Sequence, residues 1–168
     1  MPLDEAVVIA LGSSLAGQFA GRQALLEAAL DRFADAKLTV VRRSSWWRSA
    51  SWPDPSLPEY LNGLVLVETT LRPRETLGAL RRVEQAFGRR RGPANAPRTL
   101  DLDLIAHGRT VIDEPDLALP HPRAHERLFV MGPLAEIAPD WTHPVLGKTP
   151  AELAALATVG LDATPRAP

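Results

Sequence analysis

Cysteine is absent from the 168 residues, and that absence excludes disulfides, thiolate nucleophiles and cysteine-ligated metal while agreeing with a reducing cytoplasm. An excess of either charge is lacking as well. With 19 basic and 20 acidic side chains the net charge is −1, so no global field draws the chain to nucleic acid or to an anionic membrane. No apolar run approaches the length of a membrane span. The first residues, MPLDEAVVIALG, carry acids where a secretory signal needs positive charge. A cytoplasmic protein acting as a monomer, without nucleic-acid or membrane partners, is the expectation. Internal repeats and a histidine cluster are also missing. The length fits one domain that needs no covalent staple, expected over residues 1–160, with 161–168, ending in DATPRAP, as a disordered tail.

What is present is a mixture of two periodicities. AVVIALG (6–12) reads as a buried strand ending at a Gly-Ser-Ser turn, and GRQALLEAALDRFADA (21–36) sets Leu25, Leu26, Ala29, Leu30 and Phe33 on one helical stripe. KLTVVRRSSWW reads as one strand, RSASWPDPSLPE as a loop, and YLNGLVLVETTL (60–71) as a central strand. Pro73 suits a helix start, and that helix runs to Phe87 and stops at Gly88, with Glu84 beside its buried stripe. TVID is a short strand, the proline-interrupted EPDLALPHPRAHER a loop, RLFVMGPLAEIA a helix despite Pro133, and AELAALA a final short helix. Helices mixed with hairpin-like strand neighbours argue for an α+β fold, ferredoxin-like, with a mainly antiparallel sheet flanked by helices.

Residues 97–105, PRTLDLDLI, alternate leucine with polar residues, which is the pattern of a strand with one buried face. Asp101 and Asp103 then leave the same face about 6.6 Å apart along the backbone, and strands accept aspartate poorly. A solvated edge strand guarded by acids is one explanation. A divalent cation that removes the repulsion is another: two carboxylates suit Mg²⁺, which fills its remaining positions with water and phosphate oxygens. Seventeen of the basic residues are arginine, and Arg89, Arg90, Arg91 and Arg98 precede the pair closely. Guanidinium forks beside an acidic metal platform suit a polyphosphate substrate.

GRRRGPANAPRTLDLDLI resembles the signature of the 6-hydroxymethyl-7,8-dihydropterin pyrophosphokinase family of folate biosynthesis, and IALGSSL, YLN (60–62), LPHPRAHER (119–127) and PLAEIAP (133–139) follow in family order. The resemblance spans most of residues 6–140. It implies a ferredoxin-like α+β fold and transfer of the diphosphate of ATP to the pterin hydroxymethyl group with release of AMP. It also implies that Asp101 and Asp103 hold two Mg²⁺ ions, with Arg89, Arg98 and the aspartates as the catalytic set. Glu84, Arg89, Arg91, Arg98, His121 and Arg127 fall on ATP-side positions. On the pterin side, Asn62 matches an amide that reads the ring edge, a task its paired donors and acceptor suit. Tyr60 and Phe129 match aromatic positions around the ring, while Gly12 and the loop from Ser49 to Trp52 match backbone contacts. Trp46 and Trp47 read as ordinary packing. Where many members carry Trp-Gly-Pro-Arg, this chain has Asn95-Ala96-Pro97-Arg98, which implies altered loop closure. A metal-dependent phosphodiesterase or nuclease, and an RNA-binding ferredoxin-like domain, are the alternatives.

Overall fold

Strand and helix patterns alternate along the chain, and the computed structural model, which describes residues 2–50, 56, 58–88 and 99–166, turns them into an α+β fold. The first apolar run becomes β1 (Val7–Ser13), buried at every position. α1 (Arg22–Asp31) turns Leu25, Leu26, Ala29 and Leu30 inward. It gives way to a short 3-10 turn closed by Lys37 in the left-handed region at φ 65°.

The strand expected from KLTVVRRSSWW is instead two. β2 (Thr39–Arg43) and β3 (Trp47–Ser49) both pair antiparallel with β4 (Tyr60–Glu68). Between them Ser44 carries the pairing alone: its N–H donates to the Leu64 carbonyl at 2.9 Å, and its Oγ accepts from the Leu64 N–H at 2.9 Å. Trp46 lies against Gly63, where a Cβ would fall 2.5 Å from the indole. Packing of that ring, not a turn signal, interrupts the strand.

α2 (Pro73–Ala86) opens on its proline, and the Glu75 carboxylate accepts the Arg72 N–H at 2.9 Å. Gly88, at φ +81°, follows its end, as such a glycine commonly does. β5 (Asp101–His107) comes next, then a hairpin of β6 (Ile112–Glu114) and β7 (Leu117–Leu119). β7 was expected to be loop; three residues between two prolines are too few to display alternation. α3 (Leu128–Ile137) carries Pro133 inside it. α4 (Pro150–Leu156) is capped reciprocally by Thr149 and Glu152.

The chain end corrects an expectation. Residues 161–166 are not a frayed tail: β8 (Thr164–Pro165) pairs with β3, and the Arg166 N–H donates to the Trp46 carbonyl at 2.7 Å. Sequence gave no hint, because a two-residue strand has no period.

The main sheet runs β5-β1-β4-β3-β8, with β2 on the same edge of β4 as β3. Counting β2 and β3 as one interrupted strand, the spatial order is fourth, first, third, second, all antiparallel, which is the split β-α-β arrangement of ferredoxin-like folds. One face buries Val7, Ile9, Leu11, Leu102 and Leu104 beneath α1 and α2. The other buries Val8, Ala10, Leu64 and Ile105 beneath Val130, Met131 and Leu134 of α3, with Trp141 beside them. Each buried valine, leucine, isoleucine or methionine contributes roughly 1.5–3 kcal/mol by leaving water, so both faces are driven shut wherever a helix reaches.

Candidate active site

α3 does not reach the end of its face, and the uncovered end holds the polar residues. Strand pairing sets Asp101 beside Gly12, Gly12 beside Asn62 and Asn62 beside Trp47, in one row across β5, β1, β4 and β3. Asp103, paired with Ala10, stands in the neighbouring row. Paired residues share a face. These two rows therefore floor a cavity of about 360 Å³ whose lining includes Gly12, Asn62, Asp101 and Asp103.

Gly12 keeps the floor low. A Cβ there would stand 3.3 Å from Asn62 Oδ1 and 3.7 Å from Tyr60. Asn62 is buried, and its Nδ2 donates to Ser49 Oγ at 2.9 Å, which fixes the amide while leaving Oδ1 on the Gly12 side. Tyr60, Ser49 and Ala50 form one wall. His121, Arg127, Phe129 and Val159 form a second part of the lining, with Arg123 and Glu126. Trp47 packs elsewhere: Gly132 of α3 lies against its ring, and its Nε1 donates to Glu136 at 2.6 Å. The packing expected for both tryptophans is what the fold contains.

That second part of the lining is cationic. Arg127 immediately precedes α3, and its guanidinium sits 5.8 Å over the Phe129 ring. Burial pushes His121 down to about 4, with Arg127 and Arg123 adding repulsion. His121 is accordingly neutral near pH 7. Its Nδ1 accepts the Arg123 N–H at 3.1 Å, so the proton of the neutral ring belongs on Nε2, which becomes a donor.

Nine expected residues thus converge on one cavity: Gly12, Ser49, Tyr60, Asn62, Asp101, Asp103, His121, Arg127 and Phe129. Arg89, Arg91, Arg98 and Trp52 lie outside the described residues. Glu84 stands apart from these nine. It is 6% exposed, does not line the cavity, and accepts the Leu102 N–H at 2.8 Å. β5 is an edge strand, and Glu84 occupies one of its outward donors. Arg123, Glu126 and Val159 were missed, while Ala50 falls inside the Ser49–Trp52 loop already expected at the ring. Arg123 and Glu126 stand inside the motif already noted, LPHPRAHER, whereas Val159 comes from a segment without any signal.

The donor set fits a hard cation. Asp101 and Asp103 offer carboxylate oxygens from adjacent same-face positions, and among the described residues no third acid, histidine or cysteine completes an all-protein cluster. Mg²⁺ tolerates few protein ligands when phosphates and water supply the rest.

Comparison with known proteins decides the family. A model of 7,8-dihydro-6-hydroxymethylpterin-pyrophosphokinase matches residues 8–139. The chain belongs to that family. The 2-amino-4-hydroxy-6-hydroxymethyldihydropteridine pyrophosphokinase of Pseudomonas aeruginosa is 37% identical over 161 residues, 96% of this chain and 98% of that one. The protein of that name from Synechocystis is 48% identical over 114 residues, 68% of this chain and 58% of that one. Among solved structures, Plasmodium falciparum HPPK-DHPS superposes with a TM-score of 0.70 at 14% identity, over 89% of this chain and 45% of that one, a likeness of fold. This chain therefore spans somewhat over half of the Synechocystis relative and nearly all of the Pseudomonas one.

Proposed function

We propose that the protein transfers the diphosphate of ATP to the hydroxymethyl oxygen of 6-hydroxymethyl-7,8-dihydropterin, giving the pterin diphosphate and AMP. One observation carries this reading: a buried, oriented amide and two aromatic rings share a cavity floor and walls with paired carboxylates and a cationic rim. A ring carrying both donors and acceptors suits the first part. A polyphosphate suits the second.

Asn62 reads the ring edge, held in register by Ser49, while Tyr60 and Phe129 flank the ring. Gly12 leaves room for the ring to lie on the sheet. Arg127 and neutral His121 hold the phosphates by hydrogen bonds from guanidinium and Nε2–H. Arg89, Arg91 and Arg98 are assigned to the same phosphates. Two Mg²⁺ ions, which Asp101 and Asp103 would hold, supply charge neutralisation across the phosphate chain. Glu84 acts through β5, by holding the backbone from which both aspartates project.

In the transfer the pterin hydroxyl oxygen attacks the β-phosphorus. A new O–P bond forms as the bond to the oxygen shared with the α-phosphorus breaks. AMP leaves with that electron pair, and the hydroxyl proton passes to solvent. No side chain need become covalently attached, so acceleration comes from positioning and electrostatic stabilisation. Within this reading the protein works in the cytoplasm as a monomer.

The test is incubation with ATP, Mg²⁺ and the pterin, with nucleotides separated by chromatography. AMP formed only when the pterin is present is expected. ADP as the product, or AMP independent of the pterin, would overturn the assignment.

A further inference from the structure

The C-terminal segment after α4 links two groups of residues that line the cavity. At one end the Thr158 and Val159 N–H groups both donate to the Glu126 carbonyl at 3.0 Å, and the Leu128 N–H donates to the Val159 carbonyl at 3.0 Å. Val159 bridges Arg127 in parallel and itself lines the cavity. At the other end Asp162 Oδ2 accepts the Ala50 N–H at 2.7 Å, and β8 pairs with β3. Between these ends sits Gly160, at φ +68°. A Cβ there would lie 2.4 Å from Phe129 Cδ1, so the aromatic ring rests directly on the Gly160 backbone.

We infer that residues 158–165 are a strap that positions the ring-binding half of the site, with Gly160 and Asp162 as positioning residues acting through Phe129 and Ala50. Neither needs to touch substrate. Gly160 sets how far Phe129 stands from Asn62 and Gly12, because any side chain there displaces the ring as well as straining a left-handed backbone. Asp162 holds the backbone of the Ser49–Ala50 wall, and Ser49 in turn orients the Asn62 amide. The strap pairs with phosphate-side Arg127 at Val159, whereas Gly160 and Asp162 meet Phe129 and Ala50, so substitutions at those two positions bear on the ring side. The inference rests on the activity proposed above only in naming the ring as a pterin.

Gly160→Ala, Asp162→Ala, Asp162→Asn and, as a control, Leu161→Ser are compared with the unaltered protein; Leu161 is 64% exposed on the same strap. The expected result is a rise of about tenfold in the KM for the pterin with Gly160→Ala and about threefold with Asp162→Ala. The KM for ATP stays within about twofold. Asp162→Asn recovers most of the loss because an amide oxygen also accepts, and Leu161→Ser has no effect. Equal changes in both KM values, or none, would overturn the inference. Amide hydrogen exchange supplies a readout independent of turnover: Asp162→Ala should speed exchange at Ser49 and Ala50 while leaving α1 and α2 protected. If the unaltered protein forms no pterin-dependent AMP, the activity is wrong, and the exchange result still decides the strap. Unchanged exchange at Ser49 and Ala50 would refute it.

Discussion

The two faces of the central sheet are built from the same strands and end differently. Beneath α1 and α2 the face is mainly apolar, with Leu11, Leu102 and Leu104 closed in by helices. Beneath α3 the face is apolar only as far as Ala10 and Leu64, and then turns to Gly12, Asn62, Asp101 and Asp103. β5 contributes to both, leucines to one side and aspartates to the other. The difference teaches that the site is the part of the sheet that a helix leaves uncovered. The leucines on the closed face hold the strand that carries the aspartates.

Substitution on opposite sides of one strand sharpens the contrast most. Asp103→Ala should lower turnover by about 10³-fold or more, since a charge-stabilising group at a phosphoryl-transfer site is removed, with thermal unfolding little changed. Circular dichroism melting beside the AMP assay checks both halves. Leu102→Ala, one residue away, should do the opposite. A buried leucine truncated in a packed core costs about 2–5 kcal/mol, and the protein that remains folded should keep near-normal KM values. If Leu102→Ala left stability intact while abolishing turnover, the separation of the two faces would fail.

Much of this division was legible in the sequence. The alternation in PRTLDLDLI already set Leu102 and Leu104 against Asp101 and Asp103, because a period of two is a direct consequence of strand geometry. Asn62 and Phe129 were legible only through resemblance, since an amide in a strand and an aromatic at a helix start have ordinary packing explanations. Elements made by long-range contact were not legible at all. β8 is two residues long, the break at Ser44 follows from Trp46 seated on Gly63, and Val159 reaches the cavity by pairing with Arg127. The bond from Glu84 to β5 was hidden for a related reason. Helical spacing placed it beside the buried stripe, but nothing local reveals that a strand edge there offers the Leu102 N–H.

Smaller effects probe how the floor is held. Ser49→Ala removes the acceptor of the Asn62 amide and leaves a buried donor unpaired, a loss of about 1–3 kcal/mol. The expectation is a raised KM for the pterin with the KM for ATP unchanged, recovered by Ser49→Thr. Glu84→Gln keeps an acceptor for the Leu102 N–H but gives up its charge, and a hydrogen bond to a charged acceptor is worth about 1 kcal/mol more than a neutral one. A small loss of stability, read by urea unfolding, is expected, with ATP affinity preserved. A large loss of ATP affinity instead would return Glu84 to the ATP side.

The faces should also separate in acid. On the α3 side, burial pushes His121 and His143 down to about 4, with Arg127 acting on the first and His125 on the second. His143 Nδ1 accepts the Val145 and Leu146 N–H groups at 3.2 and 3.0 Å, so a proton on that nitrogen would face two donors and open the turn. On the α2 side His107 is also lowered by burial, but its Nε2 lies 3.0 Å from the Leu71 carbonyl, a contact that favours the protonated ring and offsets part of the shift. Each folded histidine binds a proton less readily than its unfolded counterpart near 6.5. The unfolded chain therefore takes up more protons as pH falls, and stability that is complete above about 6.5 declines towards 4. Exchange of the Val145 and Leu146 amides should accelerate over that range before the amides of α1 and α2 do. Simultaneous loss of protection on both faces would mean that the turn at His143 is not a separate weak point, and His143→Gln would then leave the acid midpoint where it is.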